Sequence, residues 1–135
     1  MTEAEYISEL RGRWPRDISV EATAATLALA DEAVQAYPHS ATLWDMRGDL
    51  IQMGDASTPH TLDDALNSYQ RAVEADPSFA DAWESIGHFY DVHVDDELAA
   101  QKYFDRAAML RQSRAPRFAI TSQTERPATG CCPSR

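Results

Sequence analysis

Two tryptophans, Trp44 and Trp83, lie 39 residues apart, and the same interval separates Gly48 from Gly87 and Pro38 from Pro77. A second set repeats at 35 residues: Ala65 with Ala100, Tyr69 with Phe104, and Ala72 with Ala107. Six matched pairs in two registers define a unit present at least twice. Such a chain is restricted to architectures in which one supersecondary unit stacks on its neighbour. The residue types make that unit a pair of helices. Ala65, Tyr69 and Ala72 fall at i, i+4 and i+7, one face of an α-helix, and Ala100, Phe104 and Ala107 repeat the pattern. In the preceding helix a tryptophan fills space, and a glycine four residues later lets another helix approach. Packed helices require this interlocking of large and small side chains.

Proline and glycine cut the chain into helix-sized pieces, and no stretch alternates like a strand. The expected helices cover 3–12, 19–36, 41–53, 61–75, 80–92 and 96–112, giving an all-α fold. Ser19, Ser40, Ser78, Thr61 with Asp64, and Asp95 supply expected starts. Pro38, Gly54, Pro77 and Pro116 supply stops. The expected organisation is an N-terminal helix or cap over 1–18, a repeat domain over 19–112 and a basic, disordered tail over 113–135. At 135 residues, 44% of them hydrophobic, one domain with a genuine core is expected. Met1 to Leu10 holds three glutamates and no basic-then-apolar pattern, so a cytoplasmic location is expected. Cys131 and Cys132, adjacent near the end, cannot staple a core and read as exposed thiols.

The repeated residues resemble the tetratricopeptide repeat. Its pattern places Trp, Leu, Gly and Tyr in a first helix, then Ala, Phe, Ala and a closing Pro. Trp44, Gly48, Ala65, Tyr69, Ala72 and Pro77 match one repeat; Trp83, Ile86, Gly87, Tyr90, Ala100, Phe104 and Ala107 match the next. Ala30, Ala33 and Pro38 resemble a preceding second helix, so about two and a half repeats are counted. Arg47 stands where the family has Leu, Ile51 where it has Tyr, and extra residues near Gly54–His60 read as a loop. The resemblance implies a short right-handed superhelix of antiparallel helix pairs with a concave face lined by the first helices. Family members generally bind peptides or helices there.

Carried over to this chain, the groove positions fall on Thr42, Asp45, Asp49 and Gln52, then on Asp81, Glu84, His88 and Asp91. Helical spacing agrees: Asp45 and Asp49 are i, i+4, and the second set is spaced 3, 4 and 3. Net charge is −10. Residues 111–135 hold five arginines and one acid, a charge of +4, which leaves −14 on the other 110 residues. A negative groove repels nucleic acid and anionic membranes and favours a basic peptide. The expected function is therefore a protein–protein interaction module, an adaptor or scaffold, with no cofactor. The alternatives are a structural or homo-oligomerisation module without a free groove, and, more distantly, a metal-binding accessory protein using Glu84 and His88 with Asp81 or Asp91. No nucleophile has a companion histidine at a recognisable spacing and no glycine-rich phosphate loop exists, so an enzyme is not expected.

A helical stack needs covered ends. Tyr103 and Leu110 are expected to face the place of a missing next helix. Phe118 and Ile120 of the tail, or a second copy in a homodimer through the C-terminal helix, would cover them. The arginines of 111–117 could instead lie against the acidic groove.

Overall fold

The computed structural model describes residues 1–17, 19–55 and 58–114. The tail side chains Phe118, Ile120, Cys131 and Cys132, and the tail's expected disorder, lie outside the described residues. Six helices follow one another: α1 (Glu3–Gly12), α2 (Ala24–Ala36), α3 (Ala41–Met53), α4 (Leu62–Ala75), α5 (Ala80–Phe89) and α6 (Glu97–Arg114). A π-helical turn, Tyr90–Val94, extends α5. Among the described residues there is no strand, and the only sheet-like feature is an isolated bridge between Ala22 and Gly54. No helix among them is long and apolar enough to cross a membrane.

Helix starts follow local hydrogen bonding. Thr2 with Glu5, and Thr61 with Asp64, form reciprocal capping boxes, which satisfy otherwise orphaned N–H groups of the first turn. Ser40 accepts from the Leu43 N–H to start α3. Three expected caps differ. Thr23, not Ser19, caps α2, because Ser19 is drawn back onto the Asp17 carboxylate and the Ala22 N–H is used by the Met53 carbonyl. Ser78 likewise folds back onto Asp76, so α5 begins at Ala80, as expected, with Phe79 in the cap position and no side-chain cap. Asp95 ends the π turn in the left-handed conformation (φ 58°), which Asp tolerates better than most residues. Asp96 then accepts from the Ala99 N–H at the start of α6. α6 runs to Arg114, two residues beyond its expected end.

Adjacent helices pack as pairs: α1 on α2, α3 on α4, and α5 on α6. α3 also touches α1, α2 and α5, and α4 touches α5. The glycines act as expected. A Cβ at Gly48 would lie 2.4 Å from a ring carbon of Tyr69, and one at Gly87 would lie 2.7 Å from a ring carbon of Phe104. Each aromatic ring therefore rests on bare backbone. The tryptophans repeat a second device: Trp44 Nε1 donates to the Pro38 carbonyl and Trp83 Nε1 to the Pro77 carbonyl, both at 2.8 Å. The proline before each pair is thus tied to the pair's first helix. An arginine from the second helix covers each indole, Arg71 over Trp44 at 5.0 Å and Arg106 over Trp83 at 5.6 Å, a cation–π arrangement. Trp44 is buried; Trp83 is only half-buried.

Arg47, in place of an apolar residue, belongs to a polar cluster joining three helices. Its Nε donates to Asp31 at 2.8 Å and its Nη1 to Ser68 at 2.6 Å. His60 Nε2 lies 2.9 Å from the same Asp31 carboxylate, leaving Nδ1 buried without a hydrogen-bond partner among the described residues.

Tyr103 does not face outward as expected. It stacks between Trp83 and Tyr90, with ring centroids 5.9 and 5.3 Å away, because the aromatic content of α5 offers it more buried area than solvent does. Leu98 and Met109 are the exposed large apolar residues of α6.

Replacing Gly48 by Ala should destabilise the protein by about 2–3 kcal/mol, since the fully buried Tyr69 ring cannot yield. Gly87→Ala should cost less, about 1 kcal/mol, because Phe104 is half-exposed and can shift. Urea denaturation of both variants checks this. A neutral or stabilising Gly48→Ala, as helix propensity alone would give, would contradict the interlock.

Candidate functional site

α3 and α5 touch, and their facing turns bring four carboxylates together. Asp45 and Asp49 come from successive turns of α3, Asp81 and Glu84 from the first turns of α5. The two α3 carboxylates are the more enclosed. Ser85 Oγ lies 2.8 Å from Asp45 Oδ1 and 2.9 Å from the Asp81 carbonyl. Burial, together with the negative charges of Asp49, Asp81 and Glu84, pushes the Asp45 carboxyl up to about 7, against a smaller opposing effect of the Ser85 hydroxyl. A carboxylate in a dry site beside like charges holds its proton more tightly.

Asp49 is anchored from below. The Tyr69 hydroxyl donates to Asp49 Oδ1 at 2.6 Å and accepts from Gln52 Nε2 at 2.5 Å. Gln52 Oε1 in turn lies 2.9 Å from His93 Nε2 in the π turn. Burial raises the Asp49 carboxyl above the ordinary carboxylate value; the Tyr69 hydroxyl and the nearby His88 oppose it. Burial first, and the adjacent Asp49 charge second, also raise the Tyr69 hydroxyl, which stays a neutral donor.

Of the expected groove residues, Asp45, Asp49, Asp81 and Glu84 therefore form one cluster. His88 lies at its edge, close enough for its charge to act on Asp49, with its ring set edge-on to Phe104 at 4.9 Å. Gln52 is committed to Tyr69 and His93. Asp91 is exposed on the π turn, where the backbone no longer follows the α-helical spacing that would align it with Asp81, Glu84 and His88. Ser85 and the Tyr69 hydroxyl were not foreseen: Ser85 carries no motif, and Tyr69 reads as a packing residue. Among the described residues, no three His, Cys, Asp or Glu side chains converge in a metal-binding arrangement.

Toward α1 the face becomes mixed in character. A shallow cavity of about 290 Å³ is lined by Arg11, Trp14, Met46 and Asp49. Trp14, half-buried against the core, thus gives this end an aromatic wall. Tyr6 and Leu10 bury the other side of α1.

Compared with known proteins, the chain matches no family model and no curated protein sequence.

The raised Asp45 value sets a pH dependence. The folded-state value lies above the ordinary 3.8, so Asp45's contribution to stability is intact below about pH 4 and is lost as pH rises through about 7. Asp45→Asn should match the wild type near pH 4 and exceed it by about 2 kcal/mol at pH 8. Chemical denaturation across that range checks the sign; a variant no more stable than wild type at pH 8 would refute it.

Proposed function

We propose that this protein is a binding module of the tetratricopeptide-repeat kind, an adaptor that takes a basic peptide or helix across the acidic face of α3 and α5. One observation carries the reading. Asp45 and Asp49 sit half-buried side by side, and among the described residues neither is in a salt bridge, at an electrostatic disadvantage that an incoming cation relieves. Perturbed groups of this kind mark functional sites more often than chance surface clusters do. A guanidinium is the natural complement, because its planar fork pairs with carboxylates through two parallel hydrogen bonds.

The paired helices and their two glycine–aromatic interlocks support the tetratricopeptide-like reading, with α1, α3 and α5 as the layer of first helices. The half-buried Trp14 beside Asp49 supplies apolar and cation–π surface for the stem of a long basic side chain. The same negative face disfavours nucleic acid and anionic lipid. The role proposed is recognition rather than catalysis, with a protein or peptide as the partner.

Calorimetric titration with a nona-arginine peptide provides the test. Neutralising the face (Asp45→Asn, Asp49→Asn, Asp81→Asn, Glu84→Gln) should weaken binding at least about tenfold. A control with the same charge change elsewhere (Asp63→Asn, Glu74→Gln, Glu97→Gln, Asp105→Asn) should bind like the wild type. Equal losses in the two variants would reduce the interaction to net charge and refute a specific site.

A further inference from the structure

The acidic face already holds one cation, and it comes from the chain itself. Arg111, in the last turn of α6, reaches across the open end of the α5–α6 pair. Its Nη2 donates to Asp81 Oδ1 at 2.7 Å and to Glu84 Oε1 at 3.1 Å. The contact joins residues 30 and 27 positions apart and neutralises the outer half of the carboxylate cluster. Asp45 and Asp49, the inner half, are left without it.

From this we infer that Arg111 is a built-in competitor for the proposed peptide site: its guanidinium occupies the Asp81–Glu84 pair that a bound peptide's own guanidinium would take. The inference rests on the binding role proposed above and adds its regulation. The geometry is that of a displaceable occupant. Both bonds use a single nitrogen, rather than the two-pronged side-on pairing that makes arginine–carboxylate contacts strong. The Arg111 side chain is 45% exposed and its two partners 62% and 42%, a range in which ion pairs are weak and exchange readily. An incoming arginine can seat on Asp45 and Asp49 first and then displace Arg111 by swinging it into solvent, with no helix having to move. The free protein meanwhile keeps a lower surface potential than four bare carboxylates would create, so weakly basic segments are turned away.

Binding of fluorescein-labelled nona-arginine, read by anisotropy, tests this with a series of variants. Arg111→Gln releases the Asp81–Glu84 pair. Arg13→Gln is the matched control: it removes the same charge and frees the exposed carboxylate of Glu9, which Arg13 pairs at 2.9 Å on α1. Arg111→Gln should tighten binding about three- to fivefold relative to Arg13→Gln, the range set by one exposed ion pair. Its melting temperature should stay within about 2 °C of wild type. In an Asp81→Asn, Glu84→Gln background, Arg111→Gln should tighten binding no more than Arg13→Gln does. Equal affinities for the Arg111 and Arg13 variants would overturn the competitor role, as would weaker binding by Arg111→Gln or a loss of stability without a change in affinity. A separate variant, Asp45→Asn with Asp49→Asn, distinguishes the two readings. If it binds like the wild type, the acidic site itself is refuted and the competitor with it. If it binds more weakly while Arg111→Gln changes nothing, only the competitor falls.

Discussion

The ring of Tyr69 lying on the bare backbone of Gly48 is the contact on which the rest of the structure depends. It sets how closely α3 and α4 approach, and no Cβ could be placed at Gly48 without moving the ring. It also delivers the hydroxyl to Asp49 and Gln52. A packing constraint and an electrostatic one therefore share a side chain. Asp49 is held in its half-buried place because the aromatic below it is locked, and Gln52 passes that order on to His93 at the next helix pair. In the second pair Phe104 takes the same position over Gly87 without a hydroxyl. The carboxylates of α5 are correspondingly more exposed and are met by a long, flexible arginine instead.

Stability and the proposed binding role pull in opposite directions on this face. The layer formed by α3 and α5 would fold more favourably with fewer buried charges, since a desolvated carboxylate beside others is destabilising. The fold offsets that with Leu43, Leu50, Ile86, Ala65 and Ala72, all nearly inaccessible to solvent, and with the tryptophan–proline ties of the α3–α4 and α5–α6 pairs. Asp45 responds by holding a proton into the neutral range, Asp49 by accepting from Tyr69. Both are poised to gain from a cation, so affinity would depend on pH near neutrality and on salt concentration.

The parts legible in the sequence were those that depend on local spacing. Proline, glycine and helical periodicity marked the six helices, and the repeat of Trp, Gly and aromatic residues marked the interlock, because i+4 neighbours share a face whatever the tertiary context. Asp45, Asp49, Asp81 and Glu84 came from the resemblance to the tetratricopeptide repeat, with which their helical spacing agrees. The start of α2 was missed, and the cap of α5 with it, because serines at 19 and 78 had nearer acceptors in Asp17 and Asp76, a competition that spacing does not rank; α5 itself begins at 80 as expected. Asp91 lies in the π turn, where the angle per residue changes after Phe89, and nothing in Tyr90–Val94 announces that turn. Arg47 was visible as a departure from the resembled repeat pattern, but its partners Asp31 and Ser68, and the His60 that shares Asp31, come from three other segments. Opposite charge hinted at the Arg111 contact; which of the arginines would make it, and with which acids, depended on the length of α6.

If α3 and α5 together form a docking face, ligand contact must appear on both helices at once and stop at their edges. Backbone amide shift mapping by nuclear magnetic resonance, with an arginine-rich peptide titrated into isotope-labelled protein at neutral pH, reads this residue by residue. Concerted shifts at Asp45, Asp49, Ser85 and His88, with the outer turns of α2 and α4 unmoved, are the expected result. Shifts scattered over the acidic surface, or confined to α2 and α4, would contradict the account.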